Sequence, residues 1–305
     1  MPASLHSRFS HPHVTFSRHD QLEMIDIRNA FGSARLTPYG GTVLSYVPQG
    51  GIDTLWVSET AVYDGSKPVR GGVPVCWPWF GAYDPSAMGA HPSDSNKKAH
   101  GFARYADWEV ESVSDQPGGA TQVVLSLAPS EAIAAVWPYD FKLQLAVTLG
   151  ESLQLELIAE NRSRQDWVVS EALHTYFRVA EAEGLTLRGL EGVRYQDKLR
   201  DSAVATQDGV LRIAPPLDCV YLDHPGTVVI EDDGNQRAIE LRKQNSHSTI
   251  VWNPGAEGVK AFADMPDDQY HAMLCVEAGN ALDNAYRLKA GETHRLGMSI
   301  ATRPL

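Results

Sequence analysis

The sequence predicts an all-β protein, a large antiparallel β-sandwich, on three observations. Short apolar–polar alternations recur along the chain, polar turn clusters separate them, and helical periodicity is almost absent. The clearest alternation places Phe141, Leu143, Leu145, Val147 and Leu149 on one face. Successive side chains of a strand point to opposite faces, so this set marks a buried side. Gly150-Glu151-Ser152 follows as a turn, and Leu153, Leu155 and Leu157 resume the alternation around Gln154 and Glu156, which makes a hairpin. Further strands are expected over 122–127, 166–179, 227–231, 238–241, 249–252, 273–277 and 295–301. Turn clusters such as Asp115-Gln116-Pro117-Gly118-Gly119 and Asp232-Asp233-Gly234-Asn235 lie between them. Residues 1–20, rich in His, Ser and Pro, read as a loose N-terminal arm, and 21–305 as a single β-sandwich domain. No repeat or linker divides that span, and 82–98, rich in Pro, Gly, Ser, Asp and Asn, reads as a loop within it.

Composition bounds the function. A chain of 305 residues buries enough surface to need no disulfide or metal staple. Hydrophobic residues at 43% and charged residues at 21% are ordinary for a globular protein and exclude a disordered chain, a coiled coil or a collagen. The longest wholly apolar run, Ala132 to Trp137, is far short of a membrane helix. The start, Met1-Pro2-Ala3-Ser4-Leu5-His6, has no apolar stretch, so no secretory signal is expected and the location is expected to be cytoplasmic. Lys and Arg number 26 against 38 Asp and Glu, a net charge of −12, which speaks against nucleic acid or an anionic membrane as partner. The stretch 59–105 escapes the acidity: it holds Lys67, Arg70, Lys97, Lys98 and Arg104 against Glu59, Asp64, Asp84 and Asp94. One segment is therefore poised for a small anion. Cys76, Cys219 and Cys275 are odd in number, widely spaced and in apolar company, so buried free thiols are expected.

Four segments are candidates for chemistry. In Val69-Arg70-Gly71-Gly72-Val73-Pro74, the glycines either let the backbone approach a ligand, as an anion nest, or make a tight turn. Trp77 and Trp79, just beyond, suit either sugar rings or a core. In Lys97-Lys98-Ala99-His100-Gly101-Phe102-Ala103-Arg104, Arg104 offers a bidentate contact to phosphate or carboxylate; the alternative is a solvated charge run. In 168–179, read as one strand, His174 shares a mixed polar face with Ser170, Ala172, Tyr176 and Arg178, opposite Val169, Leu173, Phe177 and Val179. Histidine is suited to proton exchange near neutral pH, and equally to a structural hydrogen bond. Finally, Glu277 ends the apolar run Met273-Leu274-Cys275-Val276, and a carboxyl there needs a partner or a raised pKa. Asp197, in Arg194-Tyr195-Gln196-Asp197-Lys198, fits either sugar hydroxyls or a surface ion pair. Metal-ligand spacings, phosphate-loop glycine patterns and the Gly-x-Ser-x-Gly elbow are all absent from the sequence.

Arg70-Gly71-Gly72-Val73-Pro74, His100-Gly101-Phe102-Ala103-Arg104, Leu173-His174-Thr175-Tyr176-Phe177 and Val276-Glu277, in this order, resemble the aldose 1-epimerase (mutarotase) superfamily and its glucose-6-phosphate 1-epimerase branch. The resemblance covers nearly the whole chain after the arm. It implies a galactose mutarotase-like supersandwich with the site on a concave face, and interconversion of the α and β anomers of a hexose 6-phosphate. It implies His174 as the acid at the ring oxygen and Glu277 as the base at the anomeric hydroxyl. Arg70 and Arg104 are implied to hold the phosphorylated sugar, His100 to wall the pocket, and Asp197 to bind hydroxyls. Some relatives carry Gln where this chain has Ala99, which leaves Lys98 as a candidate for that contact, with Trp77 a further pocket candidate. No metal or other cofactor is implied, and the oligomeric expectation is a monomer or weak homodimer. Mutual attraction is expected to lower the Glu277 pKa and raise that of His174. The alternatives are a mutarotase for neutral aldoses, which would not need the arginines, and a non-catalytic carbohydrate-binding β-sandwich, in which the His174/Glu277 pair is incidental.

Overall fold

The computed structural model describes residues 8–88 and 97–305. Its largest sheet has nine antiparallel strands. The predicted hairpin is its centre: Phe141–Leu149 pairs with Leu153–Asn161, from Phe141 opposite Asn161 to Leu149 opposite Leu153. Thr121–Leu127 and Glu109–Asp115 continue the sheet on one side, and Thr293–Pro304, Arg237–Gln244 and Val228–Asp232 on the other. Leu143, Leu145, Val147, Leu155 and Leu157 are all buried on one face. Each side chain so enclosed contributes about 1.5–3 kcal/mol through removal of apolar surface from water.

That face packs on a second antiparallel sheet of eight strands. Its central members are Leu217–Tyr221, Ser248–Asn253 and Met273–Asn280, flanked by Arg194–Asp197 and by the short strands Glu171–Leu173, Tyr176–Arg178 and Val75–Cys76. All eight residues of Met273–Asn280 are buried, but in two directions. Leu274, Val276 and Ala278 join the core between the sheets. Met273 and Cys275 turn the other way, into a separate cluster with Trp56, Tyr176 and Met265. Glu277 shares the side of Cys275, because alternation is strict along a strand. A four-stranded meander, Val14–His19, Leu22–Asn29, Gly32–Thr37 and Thr42–Pro48, completes the main sheets.

Two expectations are corrected here. The loose arm does not reach residue 20: Val14–His19 is a strand paired with Leu22–Asn29, and Val14 packs into the core. The strand expected over 166–179 is three strands, Trp167–Val169, Glu171–Leu173 and Tyr176–Arg178. The chain breaks at Ser170, whose N–H donates to Pro78 O, and at His174–Thr175, where the His174 N–H donates to Pro74 O. Residues 89–96 of the expected loop lie outside the described residues; Pro85–Met88 is one helical turn. Among the described residues, no helix is long and apolar enough to cross a membrane. All three cysteines are free and buried.

Candidate active site

The break at 174–175 keeps the register. Leu173 opposes Ala278 and Tyr176 opposes Cys275, so His174 falls directly across from Glu277. Cross-strand neighbours of this kind have their Cβ atoms about 4.5–5.5 Å apart. His174 Nε2 lies 3.4 Å from Glu277 Oε1, with side-chain exposures of 9% and 1%. The pair is therefore closed off from bulk water. The imidazole stacks on Tyr176 (centroids 4.8 Å apart, 13° between planes) and meets the edge of Trp252 at 6.2 Å. Neither carboxyl oxygen of Glu277, nor Nδ1 of His174, has a hydrogen-bond partner among the described residues. An unsatisfied buried polar group costs about 1–3 kcal/mol, so a ligand that supplies partners recovers that cost.

Burial dominates the electrostatics of the pair. It pushes the Glu277 carboxyl well above its ordinary range; Lys198 and Arg104 oppose the rise and Asp218 adds to it. It pushes the His174 imidazole well below its ordinary value, reinforced by His100, Arg104 and Arg70. The directions are the reverse of those expected from mutual attraction, Glu277 up and His174 down, because burial is the leading cause for both groups.

Three further candidates converge on this pair from loops. Arg70 precedes Gly71 and Gly72, and Gly72 is required by packing: at φ +67°, a Cβ there would lie 2.1 Å from Val43 O. The glycines therefore bring two backbones together, not a ligand. The Gly72 N–H donates to Trp56 O and the Val73 N–H to Val43 O, so the anion-nest reading is excluded. The Arg70 side chain is fixed instead. Its Nε is 3.2 Å from Asp264 Oδ1, its Nη1 donates to the Tyr176 hydroxyl at 3.5 Å, and its guanidinium lies 4.7 Å from the Phe262 ring centroid. Lys67 joins the same carboxylate at 3.4 Å. Burial alone would raise Asp264, but Arg70 and Lys67 hold it below its usual range.

His100 sits at φ +65°, followed by Gly101, where a Cβ would lie 2.0 Å from Trp77 O. This sharp path aims the His100 ring at His174, 5.6 Å away between centroids. The Gly81 N–H donates to His100 Nδ1 at 3.3 Å. Burial, Arg104, Lys198 and Arg70 lower the His100 pKa to about 3, so the ring is neutral and Nε2–H is its donor. Arg104 is carried on the short turn Ala103–Tyr105. Its Nη2 donates to the Tyr105 hydroxyl at 3.4 Å, and its buried Nε has no partner among the described residues. No carboxylate of the described residues lies within ion-pair distance of it.

Other candidates are placed elsewhere. Trp77 is a core residue, fully buried among Phe102, Trp137, Phe141 and Trp167, and presents no surface to a sugar. Lys98 holds its ammonium 4.2 Å from the Tyr105 ring centroid, in a cavity of about 730 Å³ that none of Arg70, His100, Arg104, His174 and Glu277 lines. Asp197 faces away from the pair. It opposes Cys219, and Cys219 opposes Val251, which opposes Val276 on the core side. Its Oδ1 accepts from the Leu199 N–H and its Oδ2 meets Arg200 at 3.4 Å.

The sequence reading missed the residues one step along. Asp218 opposes Trp252, which opposes Cys275, so Asp218 shares the face of Glu277. The Lys198 N–H donates to Asp218 O and its ammonium is 3.8 Å from Asp218 Oδ1 and 4.8 Å from the Phe80 ring centroid. The signal was present as a charged residue, Asp218, at the head of the apolar run Cys219-Val220-Tyr221-Leu222. Among the described residues, no cluster of three or more His, Cys, Asp and Glu is arranged to hold a metal ion.

Comparison with known proteins gives the family and the fold. Residues 23–301 match the model of the family described as aldose 1-epimerase. An Escherichia coli K12 protein named "Putative glucose-6-phosphate 1-epimerase" is 33% identical over 92% of this chain and 90% of its own length. A protein of the same name from Cenchrus ciliaris is 31% identical over 93% of this chain and 85% of its own. The crystal structure of YeaD from Salmonella typhimurium, a "putative mutarotase", superposes with a TM-score of 0.87 at 29% identity, covering 97% of this chain and 95% of that one. The chain belongs to the aldose 1-epimerase family, and its antiparallel sandwich is the galactose mutarotase-like fold.

Proposed function

We propose that this enzyme interconverts the α and β anomers of a hexose 6-phosphate, glucose 6-phosphate foremost, with Glu277 as base and His174 as acid. Anomer exchange needs one group to take a proton from O1 and another to give one to O5. Both oxygens are bonded to C1, so acid and base must converge on one point. The 3.4 Å approach of His174 to Glu277 is the observation that carries this reading. In the forward step Glu277 carboxylate takes the O1 proton, the O1–C1 bond becomes a carbonyl, and the C1–O5 electron pair leaves to O5, which takes the proton of His174. Rotation about C1–C2 and the reverse transfers close the ring on its other face. Each positioned proton-transfer group contributes about 10²–10⁴ in rate.

The phosphate follows from covalent geometry. In a hexose 6-phosphate the phosphorus is closer along the bonds to O5 than to O1, so its cations belong around the acid rather than the base. Arg70 reaches the Tyr176 hydroxyl beneath the His174 ring, and Arg104 offers an unpartnered Nε. Neutral His100 supplies an Nε2–H to a hydroxyl, and Asp218 with Lys198 are offered to the hydroxyls at the Glu277 end. Asp264 already compensates Arg70, which favours the neutral-aldose alternative at that residue alone; no carboxylate of the described residues compensates Arg104. A non-catalytic sugar module gives no reason to bury a carboxyl without hydrogen bonds. Polarimetry of freshly dissolved α-glucose 6-phosphate and α-glucose tests the assignment. Acceleration far greater for the phosphate ester supports it; equal acceleration, or acceleration of glucose alone, moves the substrate to neutral aldoses.

A further inference from the structure

We infer that the phosphate of the substrate, docked on Arg70 and Arg104, transfers a proton from Glu277 to His174 and so turns the resting pair into the working acid and base. The inference rests on the hexose-phosphate reading above. His174 Nε2 and Glu277 Oε1 stand 3.4 Å apart without a hydrogen bond between them; a turn of either side chain aligns them, and they then share one proton in two arrangements. One is carboxylic acid with neutral imidazole; the other is carboxylate with imidazolium. Both have the same net charge, so the surrounding charges choose between them.

Those surroundings face the pair from every side. Tyr176 lies under the imidazole, its hydroxyl kept protonated by burial, and Trp252 closes the edge. His100 is neutral. The thiols of Cys76 and Cys275 are buried, and burial holds them protonated. Lys198 and Asp218 stand on the Glu277 side and oppose one another in their effect on it. Arg104 and Arg70 are the guanidinium groups that disfavour a positive charge on His174. Arg70 has Asp264 as counter-charge; Arg104 has no such carboxylate among the described residues. In the free protein this field and the burial of the pair both favour the uncharged arrangement.

A phosphate dianion reverses the field. Opposite charges a few ångströms away inside a protein are screened far less than in water. Bound to the two arginines, the dianion offsets their charge and attracts an imidazolium. The Oε1–H bond of Glu277 breaks, the Nε2–H bond of His174 forms, and no proton enters or leaves the site. Lys198 then faces an ionised carboxylate. Binding energy from a remote substituent is thereby realised as rate, so recognition of the phosphate appears in kcat as well as in KM.

The test is nitrogen NMR of wild-type protein labelled with ¹⁵N-histidine, at constant neutral pH, with His174 assigned by the signal lost in His174→Gln. The probes are 1,5-anhydroglucitol 6-phosphate, which lacks O1 and cannot open, and 1,5-anhydroglucitol. The expected result is a neutral imidazole in the free protein and with the unphosphorylated polyol, and an imidazolium when the phosphorylated one is saturating. An imidazolium already present in the free protein, or a neutral ring in the saturated phosphate complex, overturns the inference while leaving the substrate assignment standing. Failure of the phosphorylated polyol to bind, together with no acceleration of glucose 6-phosphate exchange, removes the substrate assignment and this inference with it. Kinetics give a second reading. Phosphite dianion added to glucose should raise kcat for anomer exchange roughly tenfold for each unit by which it raises the His174 pKa, and a kcat unchanged at saturating phosphite contradicts the inference.

Discussion

The two large sheets divide the work of the molecule. In the nine-stranded sheet the ladders run long: Phe141–Leu149 pairs over its whole length with Leu153–Asn161, and Thr293–Pro304 is twelve residues. One face is core, its buried residues are mostly apolar, and its buried charges, Asp232 and Arg237, are paired with each other at 3.1 Å. In the eight-stranded sheet the strands near the site shrink to two or three residues, as in Val75–Cys76, Glu171–Leu173 and Tyr176–Arg178. Its outward face carries His174, Glu277, Asp218 and Lys198. The inner face of the same strands still belongs to the core through Leu274, Val276 and Phe177. Regular pairing therefore supplies stability, and the interrupted sheet spends part of it on enclosing polar groups that lack partners.

The largest expected effect that sharpens this contrast is on chemistry alone. Glu277→Gln should lower kcat for anomer exchange by about 10²–10⁴. Its denaturation midpoint should stay at or above that of the wild type, because an amide replaces a buried carboxyl. An unfolded or destabilised variant would make Glu277 part of the scaffold. In the other sheet, Leu145→Ala should cost about 2–5 kcal/mol, read by urea unfolding, with kcat of the folded protein unchanged. Trp77→Ala belongs with it, at about 3–5 kcal/mol; a raised KM with intact stability would instead restore Trp77 as a sugar platform.

Smaller effects follow at the arginines and at His100. Arg104→Ala should reduce kcat/KM for glucose 6-phosphate by about 10–100-fold, the worth of one charge-assisted hydrogen bond, and leave glucose nearly unaffected. Equal losses on both sugars would remove the phosphate role. His100 titrates at about 3 when folded, below its ordinary value. The unfolded chain then binds more protons between these limits, so stability should fall as pH drops from about 6.5 toward 3. Thermal midpoints of His100→Gln across this range should decline less steeply than those of the wild type.

Much of the regular sheet was legible because alternation reports burial directly. The 141–149 strand and its turn are read correctly from the spacing of Phe141, Leu143, Leu145 and Val147. Of the site, Glu277 was legible as a carboxyl inside an apolar run, and His174 as a polar residue on an alternating segment. The first strand was hidden because Val14–His19 reads VTFSRH, with exposed residues at most positions. The faces of Asp197 and Asp218 were not legible, since a strand shifted by one residue exchanges its sides and only pairing with Leu217–Tyr221 fixes which is which. Trp77 was ambiguous for a related reason: an aromatic between prolines fits a groove or a core equally, and the aromatic neighbours that decide it are as distant as Trp167.

The most direct measurement is NMR exchange spectroscopy between the α and β anomers of glucose 6-phosphate, with wild-type protein and Glu277→Gln, and with glucose as the reference sugar. Enzyme-dependent exchange on the phosphate ester, abolished by the single carboxyl-to-amide change, is the result expected if His174 and Glu277 are the acid and base. Exchange that persists undiminished in Glu277→Gln, or binding of the sugar phosphate without exchange in the wild type, would contradict it.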